Sequence, residues 1–207
     1  EHIARQIEKY VRKPFDAGWV TRMSEAELGA GMAWANEHFF WMLPPEKDWT
    51  VDWILARAVE LVARYGIRGL VIDPWNELES GRAQGENETD YIGRALRTIR
   101  QFARQYGVHV FVVVHPTKLY RDKAGKYPIP TLYDASSSSH FRNKADCGIC
   151  LWRDFAESKY EVEVHVQKIR FRQIGKLGKV TLTYEPATAT YAEAAEPPDQ
   201  SEVADGF

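Results

Sequence analysis

Four groups of residues in this sequence carry chemistry. The first is Asp73, which closes the run Arg68-Gly-Leu-Val-Ile-Asp-Pro-Trp-Asn-Glu77. Leu70, Val71 and Ile72 follow the turn signal Tyr65-Gly66 and read as a central strand of a parallel sheet, buried on both faces. Pro74 stops the ladder, so Asp73 sits at the strand's carboxyl end, the edge where open α/β sheets bind ligands. An acid there can hold a hydrated magnesium ion beside nucleotide phosphates. A lone Asp after a strand can equally be a loop cap. The second group is His115, which ends Val112-Val-Val-His115-Pro116 and puts another polar residue at a strand's carboxyl end. A neutral imidazole there can hold a water or sense a γ-phosphate, or simply bond within its loop.

The third group is Lys168 and Arg170 in Gln167-Lys-Ile-Arg170. Two residues apart on a strand, they share a face. Such a pair is either surface decoration or an offer of positive charge to a neighbouring subunit's nucleotide. The fourth is the segment from Pro116 to Lys144. It carries Lys118, Arg121, Lys123, Lys126, Arg142 and Lys144 against Asp122 and Asp134, with Tyr120, Tyr127, Tyr133 and Phe141 interspersed. Long segments without secondary structure are uncommon and often functional. Bases neutralise phosphates and aromatics stack on single-stranded bases, which makes this a candidate DNA contact; a solvated excursion is the alternative. Its serine run Ser136 to Ser139 suits contacts to a phosphodiester backbone. A triad of Asp73, His115 and a serine would make a hydrolase, but the chain lacks the G-x-S-x-G elbow.

The elements that position these residues alternate. Ser24-Glu-Ala-Glu27 is a capping box ahead of a helix to about His38. Phe39 to Leu43 is expected as a short strand. Thr50 caps a helix that ends at Gly66, and Thr89 to Tyr106 has an apolar stripe at helical spacing and ends at Gly107. Val108 to Val114 and Ile149 to Trp152 read as buried strands. Tyr160 to Arg170 and Lys179 to Tyr184 read as an antiparallel hairpin. Repeated βα units imply a mainly parallel sheet with helices on both faces.

At 207 residues and 44% hydrophobic, the chain can bury one substantial core, and one domain is expected. From Ala192 onward there are five acids and no base, leaving 27 bases against 24 acids, a net charge of +3, in the rest. The composition of residues 192–207 predicts a disordered acidic tail. No apolar run approaches membrane-spanning length, so no membrane is expected as a partner. Cys147 and Cys150, three apart on a strand, point to opposite faces and have no second pair for zinc, which favours a structural role in a reduced, cytoplasmic protein.

Taken in order, strand-Asp73-Pro-Trp-Asn-Glu77, Val-Val-His115-Pro-Thr-Lys118, Asn143-Lys-Ala-Asp146 and Lys168-Ile-Arg170 resemble the RecA-like motor of ring-shaped replicative helicases. The resemblance is to the DnaB/Twinkle group, especially phage and bacterial primase-helicases, and it runs from near residue 1 to about Tyr191. It implies an α/β P-loop NTPase core with a C-terminal antiparallel hairpin, ATP and Mg²⁺ as cofactors, and a hexameric ring. It further implies 5′ to 3′ translocation on single-stranded DNA and a primase domain or partner. By the same resemblance Asp73 is the Walker-B acid and magnesium ligand, and His115 the phosphate sensor. Arg170 is the arginine finger with Lys168 as companion, and Asp73, Glu77, His115 and Arg170 form the nucleotide set. The DNA set is Lys118, Arg121, Lys123, Lys126, Ser136, Ser137, Ser138, Arg142, Asn143 and Lys144.

Two departures stand out. No G-x-x-x-x-G-K-[ST] segment occurs in these residues, and the family's catalytic glutamate is expected before residue 1. Ser137 also stands where relatives carry glycine. The expectation is a motor lacking its Walker-A front end, cut before residue 1 and inactive as an isolated chain. A RecA-fold nucleic-acid-binding or ring-assembly module without catalysis is the alternative.

Overall fold

The computed structural model describes residues 2–16, 18, 21–43, 49–78, 81–123, 125–135, 138–155 and 157–194. Contacts divide the chain into two compact units. One comprises Glu1–Phe40, Leu151–His165 and Gly178–Phe207, the other Trp41–Cys150 and Val166–Leu177.

In the first unit, helix α1 (His2–Val11) packs on α2 (Glu25–His38). The capping box at Ser24 is complete: its hydroxyl accepts from Glu27 N, and the Glu27 carboxylate accepts from Ser24 N at 2.8 Å. Ile7, Met23 and Ala35 form the buried centre here. Gly31 lets the helices close, since a Cβ there would meet Ile7 Cγ2 at 2.7 Å. The bounds of α1 are not marked by any cap in the sequence, and a helix this short depends on such packing.

The second unit is built on α3 (Val51–Tyr65), β1 (Gly69–Ile72), α4 (Glu88–Tyr106), β2 (His109–Val112) and α5 (Ser139–Lys144). Thr50 and Asn87 cap α3 and α4 through the amides of Trp53 and Asp90. Gly66 and Gly107 end the same helices with φ of 66° and 64°, a left-handed conformation that favours glycine. Strands β1 and β2 pair in parallel, Gly69 with His109 through Ile72 with Val112. Leu70 and Ile72 join Ile54, Leu55, Ala58, Ile92, Ile99 and Phe102 in one apolar core. Each such buried side chain contributes roughly 1.5–3 kcal/mol.

Three expectations need correction. Val71 is 61% exposed and Phe111 52%, so β1 and β2 are covered on one face only. Continuous apolar runs contain no alternation from which that could be read. Residues 39–43 form no strand among the described residues, because extended backbone becomes a strand only by pairing. Residues 139–144, expected within an unstructured segment, are the helix α5.

Strands β3 (Cys147–Trp152), β4 (Glu161–Ile169), β5 (Gly178–Glu185) and β6 (Thr190–Glu193) form a second sheet in that order, with β5 and β6 antiparallel. The architecture is therefore mixed α/β, with a parallel pair and a separate antiparallel sheet. Strand β6 carries pairing through Glu193, two residues beyond the expected start of the acidic tail; residues 195–207 lie outside the described residues.

Candidate nucleotide and DNA sites

Asp73 and His115 stand at the same edge. Parallel pairing brings the carboxyl ends of β1 and β2 side by side, and the lacing continues past them. Val113 N donates to Ile72 O at 2.9 Å, and Trp75 N donates to Val113 O at 2.8 Å. The Asp73–Pro74 peptide is cis. Trp75 is buried against Tyr91 and Phe141, the latter edge-on at 5.4 Å between ring centroids, and so fastens the 3-10 turn Trp75–Glu77 to the core. From that turn Asn76 Oδ1 accepts from His115 N at 2.8 Å. Side chains at Asp73, Glu77 and His115 remain exposed.

This edge suits a magnesium–nucleotide better than a resident metal. Mg²⁺ binds through one or two carboxylates plus substrate phosphates and keeps several waters. A single exposed carboxylate at Asp73 fits that requirement, and no group of three or more His, Cys, Asp or Glu able to hold a metal occurs among the described residues.

Lys168 and Arg170 form a second cluster, around the end of α5. Lys168 Nζ donates to Arg142 O and to Asn143 O. Arg170 Nη2 donates to Asn143 O at 2.8 Å and to Ala145 O at 3.4 Å. The pair thus satisfies carbonyls that a helix end leaves open. Asp146 Oδ1 lies 3.1 Å from Arg170 Nε and 3.1 Å from Arg100 Nη2. Burial, then the charges of Arg170 and Arg142, push the Lys168 ammonium pKa below its ordinary value, with Asp146 opposing them. Among the described residues no hydrogen bond or ion pair joins this cluster to Asp73 or His115.

The basic segment is an excursion with a closed neck. Pro116 bridges to Ala135, and Thr117 N donates to Asp134 O at 2.8 Å. Its far limb is tied to β4: Gln167 Nε2 donates to Pro130 O at 2.7 Å and Gln167 Oε1 accepts from Leu132 N. Leu132 lies against Gly148, where an added Cβ would come within 2.2 Å of Leu132 Cδ1. Lys118, Arg121, Lys123 and Lys126 are exposed on the intervening stretch. Arg121 lies over the Tyr127 ring and Arg142 over Tyr133, each at 4.8 Å.

The DNA set is not a uniform row. Ser136 and Ser137 lie outside the described residues. Ser138, expected to face a phosphodiester, is 2% exposed, and its hydroxyl accepts from His140 N as the cap of α5. Arg142 and Lys144 lie in the last turn of α5, and the Asn143 carbonyl is occupied by Lys168 and Arg170. Asn76, Arg100, Asp146 and Gln167 were not singled out as site residues from sequence. The signals for two of them were slight: Asp146 directly precedes a strand, and Gln167 adjoins Lys168.

A two-stranded parallel edge bearing Asp73 and His115, with a separate antiparallel sheet, is the fold of RecA-like helicase ATPase domains. It matches the solved ATPase domain of one replicative helicase with a TM-score of 0.70 at 22% identity, over 93% of this chain and 70% of that one. It also matches a DnaB-like replicative helicase, described with its interactions with primase, with a TM-score of 0.70 at 22% identity, over 91% and 47%. The AAA domain family matches residues 16–120. The Twinkle homolog protein, chloroplastic/mitochondrial, of Arabidopsis thaliana is 38% identical over 98% of this chain. This chain therefore belongs to the AAA-domain family, in its RecA-like DnaB/Twinkle helicase group. It spans 29% of the length of the Arabidopsis relative.

Proposed function

We propose that this chain is part of an ATP-driven DNA helicase motor that works as a ring, hexameric by analogy with its relatives, and moves 5′ to 3′ on single-stranded DNA. The observation that carries the reading is the shared strand edge, where Asn76 fixes the His115 backbone beside the end of Asp73's strand. In this role Asp73 holds hydrated Mg²⁺ on ATP, with Glu77 in the surrounding polar shell. His115 faces the terminal phosphate. Bound Mg²⁺ supplies charge neutralisation at the phosphates.

Lys168 and Arg170 offer charge to the nucleotide of the adjacent subunit. Four cations (Arg100, Arg142, Lys168 and Arg170) act about the single Asp146 carboxylate, and that surplus supports an anion-facing role. Lys118, Arg121, Lys123 and Lys126, followed by Arg142 and Lys144, line the DNA segment; the role of Ser136 and Ser137 there is part of the same proposal. A primase domain or partner and a cytoplasmic, reducing compartment complete the reading, the latter in keeping with free thiols at Cys147 and Cys150. No helix among the described residues is long and apolar enough to cross a membrane.

Mixed rings test the proposal. Asp73→Ala and Arg170→Ala versions of the full-length protein should each lose hydrolysis, and mixing them should restore part of it through interfaces with both residues intact. Hydrolysis by a demonstrably monomeric protein would count against a shared site.

A further inference from the structure

We infer that Asp146 is a positioning residue for Arg170, aiming its guanidinium and tying it to α4; the inference rests on the role proposed above for Arg170. Asp146 meets Arg170 twice. Its carbonyl accepts from Arg170 N at 2.8 Å, and its Oδ1 lies 3.1 Å from Arg170 Nε. With Nη2 on the carbonyls of Asn143 and Ala145, two of the three guanidinium nitrogens are fixed. Because the fork is planar, holding two nitrogens sets the direction of the third. Nη1 has no partner among the described residues, which leaves it as the donor available to an incoming phosphate oxygen.

The same Oδ1 accepts from Arg100 Nη2 at 3.1 Å. Arg100 stands in α4, the helix that follows the Asp73 loop, so one carboxylate oxygen joins that helix to the arginine just past the end of β4. Arg100 Nε is buried without a partner, so this side chain is not placed to satisfy its own donors. Its tie is to Asp146. An ion pair that served only the fold would balance its charges. Here one carboxylate sits among Arg100, Arg142, Lys168 and Arg170, and without it their mutual repulsion would drive the longest, least anchored side chains outward.

The test uses the full-length protein and two independent readouts. Phenylglyoxal labelling of Arg170, followed by peptide mass spectrometry without DNA or nucleotide, reports how firmly the guanidinium is held. Asp146→Asn should raise the labelling rate on the order of tenfold, the value of a charge-assisted bond. Its DNA-stimulated kcat should fall about 10- to 100-fold with KM for ATP within about twofold, because misaimed groups cost turnover rather than binding. Asp146→Glu, which keeps the charge, should recover part of both, and it carries the same test if the asparagine variant fails to fold by circular dichroism. Adding Asp146→Asn to Arg170→Ala should slow hydrolysis no further.

Unchanged labelling in a folded variant overturns the inference whatever happens to turnover. A further loss on top of Arg170→Ala also overturns it, since Asp146 would then act through something else. Normal turnover in Arg170→Ala alone removes the role of Arg170 and the inference with it. The labelling arm, independent of turnover, tells that failure from a failure of Asp146 to hold the side chain.

Discussion

Replacing Lys118, Arg121 and Lys123 together by glutamine should flatten the salt dependence of single-stranded DNA binding. All three are exposed, and among the described residues none is paired with a carboxylate. Each phosphate contact on a single strand contributes about 0.7 to the slope of log affinity against log salt, so losing three lowers its magnitude by about 2. Arg121 already lies over Tyr127 at 4.8 Å. If that stacking keeps it from a phosphate, the two lysines alone give a change of about 1.4. Between about 50 and 200 mM salt, the wild-type advantage should then shrink roughly 7- to 20-fold. Fluorescence anisotropy of a labelled oligothymidylate on the full-length protein, at fixed Mg²⁺ and a non-hydrolysable ATP analogue, measures both slopes. The neck of the excursion is built from backbone bonds and Gln167, so the variant should keep its circular dichroism and melting temperature. A slope unchanged within error in a folded variant would mean that the excursion does not neutralise DNA phosphates.

Three smaller outcomes follow from the same geometry. Gly107→Ala places a Cβ at φ 64°, and should destabilise the protein by about 1–2 kcal/mol in urea unfolding without altering the DNA salt slope. Gly148→Ala would press on Leu132; displacing the anchored limb at Pro130 and Leu132 should weaken DNA binding more than it lowers the melting temperature, and the reverse ranking would show that the limb is not part of the DNA site. Bonds from Lys13 and then Ser24 hold the Glu27 carboxyl down from its ordinary 4.5 to about 2, so its stabilisation is present above 4.5 and lost as pH falls towards 2. The melting-temperature gap between wild type and Glu27→Gln should therefore close across that window, and a constant gap would refute the linkage.

What was legible in the sequence was mostly local. Ser24, Thr50, Gly66 and Gly107 announced helix ends because caps are made within a few residues, and Pro74 and Pro116 marked where strands stop. Asp73 and His115 followed from that punctuation. The hidden contacts are long-range: Arg100 to Asp146 spans 46 residues and Gln167 to Pro130 spans 37, and no period or spacing encodes them. Ser138 shows the same limit from the other side. Four consecutive serines suggested a polar surface, whereas packing of Phe141 against Trp75 takes the start of α5 into the interior and leaves Ser138 as its cap.

Whether Asp73 serves a magnesium–nucleotide at the edge it shares with His115 is tested most directly by one measurement. It is magnesium-dependent ATP hydrolysis by the full-length protein carrying Asp73→Ala, with single-stranded DNA present. Asp73 is exposed and lies outside the apolar core, so the substitution should leave the circular dichroism spectrum intact. Turnover should fall by about 10²-fold or more, since charge stabilisation at the phosphates is most of the catalysis in phosphoryl transfer. Turnover within about twofold of wild type in a folded variant would contradict the assignment of Asp73.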